Sequence, residues 1–161
     1  MFSLVVLVPV LVGVFLLEFY WRKTLGNFIE CPQDPETRNQ LQIMEENWKD
    51  FFFIPITFYA LLEEIAFRFF PFMFAHVANN GIIAILIIFP SQFLFGIVHG
   101  NIRNVGFQGV GGILYTFLFM AFGGIKSPMG IIAATIAHTL WNLNCRYEFF
   151  QKFSTKLKLS T

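Results

Sequence analysis

Glu63, Glu64 and Arg68 lie together in the segment LLEEIAFRFF, between FFFIPITFYA and PFMFAHVA. Three ionisable groups in so apolar a run are costly. An Asp, Lys or Arg at the centre of an isolated membrane-spanning helix costs about 2.5–3.5 kcal/mol, and glutamate is expected to cost much the same. Such groups face a protein interior or a water-filled cavity rather than lipid. Helical spacing separates the two glutamates. Glu64 and Arg68 stand at i and i+4 with the acid N-terminal, the favourable order for an ion pair. Glu63 points about 100° away and has no partner in its own helix. A carboxylate so placed is suited to proton transfer, as general base or acid. The structural alternative is a buried ion-pair knot of all three that locks helices together.

Two further polar positions interrupt apolar runs. FLFGIVHG places His99 one helical turn after Phe95, with Gly96 and Gly100 beside it. AHTLWN places His138 and Asn142 at i and i+4, and Gly130 and Ala134 extend that face. Small residues there let a partner helix or a substrate backbone approach closely. Each histidine alone is equally well explained as a hydrogen-bonded packing residue, and His76, beside a turn, is read as structural. Glu63, His99 and His138 also make a two-histidine, one-carboxylate zinc set with room for water. No His-Glu-x-x-His helix accompanies it, so the sequence favours a site without metal or other cofactor. Cys31 and Cys145 match no zinc or disulfide spacing and are expected to be thiols.

The elements that must hold these residues are transmembrane helices. Of 161 residues, 56% are hydrophobic and 23 are phenylalanine; only 13% are charged, half the ~25% of soluble domains. Several apolar runs approach the ~20 residues that cross a bilayer. The pattern predicts an all-α, polytopic helix bundle forming one integral membrane domain over residues 1–161. Five spans are expected: Phe2 to Trp21, Phe53 to Val77, Ile82 to Val98, Phe107 to Ile125 and Met129 to Leu143. The first lacks a cationic start and a small-x-small cleavage site, and Arg22–Lys23 follow it as a stop-transfer signal. Pro71 and Pro90 are expected to kink their helices. PETRNQLQIMEENW predicts a short surface helix, NNG a tight turn, and CRYEFFQKFSTKLKLST a basic tail.

Of eleven Lys and Arg, nine fall on the side of the 22–50 loop, the NIRN loop and the tail. Lys126 alone lies on the other, and Arg68 is inside a span. This asymmetry places the loop, the tail and both cysteines in the cytoplasm. Glu63 is eight residues in from Pro55, roughly 12 Å along a helix. His99, His138 and Asn142 lie near the same side, so all four can line one cavity open to the cytoplasm. A net charge of +1 gives no general case for nucleic acid.

EEIAFR, FGIVH and HTLWN, in order and each within a span, resemble the signature motifs of the CAAX protease and bacteriocin-processing family. The motif-bearing core covers about 53–144. The resemblance implies a glutamate-type intramembrane endopeptidase, similar to the CAAX prenyl protease 2 group, acting on a membrane-associated protein or peptide. It implies that Glu63 and His99 activate a water, and that His138 and Asn142 stabilise the oxyanion. Glu64, Arg68 and Phe95 would hold the site in shape. The expected address is the cell (inner) membrane in a bacterium or the endoplasmic reticulum in a eukaryote. Larger relatives carry more spans, so a minimal core or a homo-oligomer is implied for so short a chain. A non-catalytic immunity or assembly protein is the main reading from another class, and a proton-coupled transporter is a weaker one.

Overall fold

The computed structural model describes residues 4–26, 34–100 and 102–147. Cys31 and the tail beyond 147 lie outside the described residues. Every regular element among those described is helical: α1 (Leu4–Gly26), α2 (Asp34–Trp48), α3 (Phe53–Glu64), α4 (Phe70–Ala78), α5 (Gly81–Val98), α6 (Val110–Ala121) and α7 (Pro128–Tyr147). Widened π-helical turns at Ile65–Phe69 and Val105–Gly109 lead into α4 and α6. Two helices, Val5–Gly26 and Gly81–Val98, are long and apolar enough to cross a membrane. Side chains such as Val5, Ile82 and Leu86 point outward from them, exposed. Lone exposed aliphatics are ordinary on soluble proteins, but contiguous faces of them mark a surface made for another apolar phase.

Helix α1 differs from expectation at its end. The helix does not stop at Trp21 but continues through Arg22 and Lys23 to Gly26. Arg22 is buried and pairs with Glu18 one turn earlier at 2.9 Å. It is therefore an interior ion-pair partner, not a stop-transfer cation. Trp21 fastens the same end by donating its indole N–H to the Gly106 carbonyl at 2.8 Å.

The expected kink at Pro71 is replaced by another device. Proline has no N–H to offer the carbonyl four residues back, which here is Phe67. The π turn over Ile65–Phe69 widens the backbone just before the proline, and the helical path runs on from α3 into α4. The Phe67 carbonyl instead accepts from Gln92 Nε2 at 3.0 Å and from Ser91 Oγ at 3.3 Å, both on α5. A local defect thus becomes a cross-link between helices. Helix α5 itself runs unbroken through Pro90.

The short turns follow local chemistry. Asn79 takes the left-handed conformation at φ 47° that closes α4, which asparagine tolerates. Asn80 then caps α5, its side-chain oxygen accepting from the N–H of Ile82 and Ile83. The expected surface helix is α2, anchored by Leu41, which is buried with Phe52 and Ile56. Glu45 of α2 accepts from Arg146 at 2.8 Å and from the Tyr147 hydroxyl at 3.0 Å.

In a bilayer, helices associate through close packing rather than expulsion of water. The largest buried cluster does this: Leu7 of α1 and Tyr115, Leu118 and Phe119 of α6 meet Ala133, Ala134 and Ala137 of α7. A Cβ on Gly130 would lie 2.8 Å from the Phe119 carbonyl oxygen. The small face of α7 therefore admits a neighbouring helix of this chain, not a substrate backbone. Gly96 does likewise, since a Cβ there would lie 2.5 Å from the Val105 Cα, whereas Gly100 faces open space at φ +92°.

Gly96→Ala tests this packing. The clash is with backbone, so the Val105–Gly109 turn must move, at about 1–3 kcal/mol. Gly13→Ala, with nothing within 4 Å of the new methyl, should be neutral or slightly stabilising. Thermal unfolding of both variants in detergent should show a lowered midpoint for the first alone.

Candidate active site

The adjacent glutamates divide as helical geometry requires. Glu64 is wholly buried and Glu63 is 37% exposed. Glu64 Oε1 accepts from Arg68 Nη1 at 3.1 Å. The pair sits where α3 meets its π turn, and Arg68 is itself fully buried. Its guanidinium lies 4.4 Å from the centre of the Phe95 ring and 5.5 Å from that of Tyr115, a contact that partly replaces lost hydration. Glycine at 112 admits this arrangement, because a Cβ there would lie 2.9 Å from Arg68 Nη2 and from Gln92 Oε1.

His138, from the middle of α7, reaches both glutamates. Its Nδ1 is 2.8 Å from Glu64 Oε1, and its Nε2 is 3.4 Å from Glu63 Oε2. Since Glu64 already pairs with Arg68, its oxygen accepts and His138 Nδ1 carries the proton. His99, which follows α5 directly, presents Nε2 at 4.0 Å from the same Glu63 Oε2. Its Nδ1 is hydrogen-bonded to the Phe95 carbonyl. A carbonyl only accepts, so Nδ1–H donates and Nε2 is turned toward Glu63. Phe95 fixes both rings, edge-on to His99 at 4.7 Å and to His138 at 5.8 Å.

Glu63, His99, His138 and Asn142 all line one cavity of about 450 Å³. Its opposite wall comes from α2, through Gln40, Leu41, Ile43 and Met44, and Cys145 also borders it. His76 is exposed at the far end of α4 and takes no part. Among the described residues, no group of three or more His, Cys, Asp and Glu side chains is spaced to hold a metal ion.

Sequence reasoning missed one layer. Tyr115 of α6 stacks on the His138 ring, centroids 5.3 Å apart and planes 25° apart. Behind it stand Glu18 and Arg22 of α1, and Gln108 of the second π turn. Glu18 and Arg22 repeat the i,i+4 acid-then-base spacing of Glu64 and Arg68, which was a usable signal; a lone tyrosine in an apolar helix gave none.

The model of one protein family, type II CAAX prenyl endopeptidase Rce1-like, matches residues 46–144. No curated protein and no solved structure matches the chain. The buried pair within the matched segment yields a direct test. Arg68→Met should leave Glu64 uncompensated and cost about 3–5 kcal/mol. The double variant Glu64→Gln, Arg68→Met should recover much of that loss, read as folded yield and thermal midpoint in detergent.

Proposed function

Because this chain belongs to the type II CAAX prenyl endopeptidase Rce1-like family, a family of membrane-embedded proteases, we propose that it is a glutamate-type intramembrane endopeptidase. Its substrate would be a membrane-associated protein or peptide. The observation that carries this is the convergence of His138 Nε2 and His99 Nε2 on one oxygen of Glu63, at 3.4 and 4.0 Å. Asn142 lines the same cavity.

A separation of 4.0 Å is too long for a hydrogen bond and suits a water held between carboxylate and imidazole. That water attacks the scissile carbonyl carbon while Glu63 takes its proton, with His99 Nε2 as second acceptor. The carbonyl oxygen becomes an oxyanion. The Asn142 amide N–H and His138 Nε2 stabilise it, the contribution that usually weighs most in acyl transfer. For Nε2 to donate, the His138 ring must carry both protons, and Glu64 holds the one on Nδ1. The intermediate then collapses, the carbon–nitrogen bond breaks, and Glu63 returns its proton to the leaving amine.

The site sits in a bundle of five crossings: α1, the continuous α3–α4 unit, α5, α6 and α7. The motif-bearing core is about 53–144. The cavity opens toward the cytoplasm. With Arg22 removed from the count as an interior residue, eight of the remaining ten Lys and Arg still fall on that side.

Glu63→Gln should lower kcat by about 10²–10⁴ and leave the folded protein in the membrane. Asn142→Ala should lower kcat by about 10²–10³. Comparison of protein termini in membranes from cells carrying the parent chain and Glu63→Gln identifies the product. A terminus seen only with the parent gives activity and substrate class together; identical termini would sink the reading. Activity should also survive a chelator, and a stoichiometric zinc in purified protein would reverse the metal-independent assignment.

A further inference from the structure

Helix α1 lies outside the segment matched to the family, yet it supplies a second buried ion pair behind the cavity wall. Glu18 and Arg22 pair at 2.9 Å with side chains 1% and 6% exposed. Glycine at 111 makes room for them, since a Cβ there would lie 2.6 Å from Glu18 Oε1. Two links run from this pair to the cavity. Glu18 Oε2 accepts from the Tyr115 hydroxyl at 2.6 Å, and Tyr115 stacks on His138. Arg22 Nη2 donates to Gln108 Oε1 at 2.7 Å, and its guanidinium covers the Trp141 ring at 4.4 Å. Gln108 and Trp141 both border the cavity.

We propose that Glu18 is a positioning residue of this site, acting through Tyr115 to set the plane of the His138 ring. The inference rests on the role of His138 given above. One hydrogen bond, from Nδ1 to Glu64, fixes a point on an imidazole but leaves rotation about that point. The flat contact with Tyr115 removes the rotation, and it does so only while Tyr115 itself is held. The Tyr115 ring is held at its far end by the hydroxyl bond to Glu18. Releasing it frees the ring to slide and lets Nε2 leave the line toward Glu63. Displacements of about 1 Å at a reacting centre can cost 10²-fold in rate.

The test uses the full chain in lipid nanodiscs with ¹⁵N-labelled histidine. The chain has three histidines, and His76, remote from the cavity, is the internal reference. Tyr115→Phe keeps the ring and the Glu18–Arg22 pair and removes only the hydroxyl. Glu18→Gln touches no histidine and reaches His138 only through Tyr115. Both should move or broaden the His138 ring resonances and leave those of His76 in place. On a fluorogenic lipid-anchored peptide, both should lower kcat about tenfold with KM within about twofold. Leu118→Ala, a core truncation in the same helix, should lower the thermal midpoint and leave kcat near the parent value. His138 resonances and kcat unchanged in both Tyr115→Phe and Glu18→Gln would overturn the proposal. If the parent chain cleaves nothing, the peptidase reading falls, and the His138 resonances alone decide whether Glu18 positions that ring.

Discussion

A carboxylate with no exposure to solvent, Glu64, sets the terms for the rest of the bundle. It must have partners, and a single oxygen takes two: Arg68 from its own helix and His138 from α7. A buried ion pair adds little net stability, because desolvation offsets much of the attraction. Losing one partner is another matter, since the charge left behind has nowhere to go. The pair therefore acts less as a source of stability than as a constraint on which helices are neighbours. Gly112 lets Arg68 pass, Phe95 and Tyr115 cover its guanidinium, and the alanines of α7 bring His138 within reach. Each of these residues is explained by one demand.

Adjacency turns that constraint into chemistry. Glu63 shares a peptide bond with Glu64, so fixing one fixes the other about 100° round the helix. The buried glutamate is structural and its exposed neighbour is left facing a cavity with two imidazoles. Position in such a site is not set by the reacting residues themselves but by the satisfied groups next to them, a general feature of well-supported sites. The wall opposite comes from α2, most of which lies outside the segment shared with the family. What the cavity can admit is thus shaped by a different stretch of chain from the one that carries the motifs.

Much of this was legible in the sequence, for identifiable reasons. Spacing alone separated Glu64 and Arg68 from Glu63, because an i,i+4 relation needs no tertiary information. The helical segments were visible as apolar runs punctuated by Asn79–Gly81 and by the glycines near Lys126. Two errors share a cause. Arg22 was counted as a loop cation because it follows an apolar run, yet Glu18 one turn earlier could neutralise it and carry the helix onward. Pro71 was read as a kink because a local rule has no knowledge of Gln92, which satisfies the Phe67 carbonyl from another helix. The contact of Tyr115 with His138 was out of reach for the same reason: it depends on how α6 and α7 cross, and no local pattern encodes that.

The π turn at Ile65–Phe69 has a further consequence for how the helix through the site is numbered. A π turn holds one residue more than the α-helical path it replaces, so the faces of α3 and α4 are out of phase by one position. Periodicity read straight across it assigns inward and outward residues correctly on one side only. Deleting a single residue there would restore regular hydrogen bonding and still rotate the whole Phe70–Ala78 segment by about 100° against Glu63 and Glu64. In this helix, length is a coordinate of the site: the surplus residue keeps the two halves of the rod aimed at different partners.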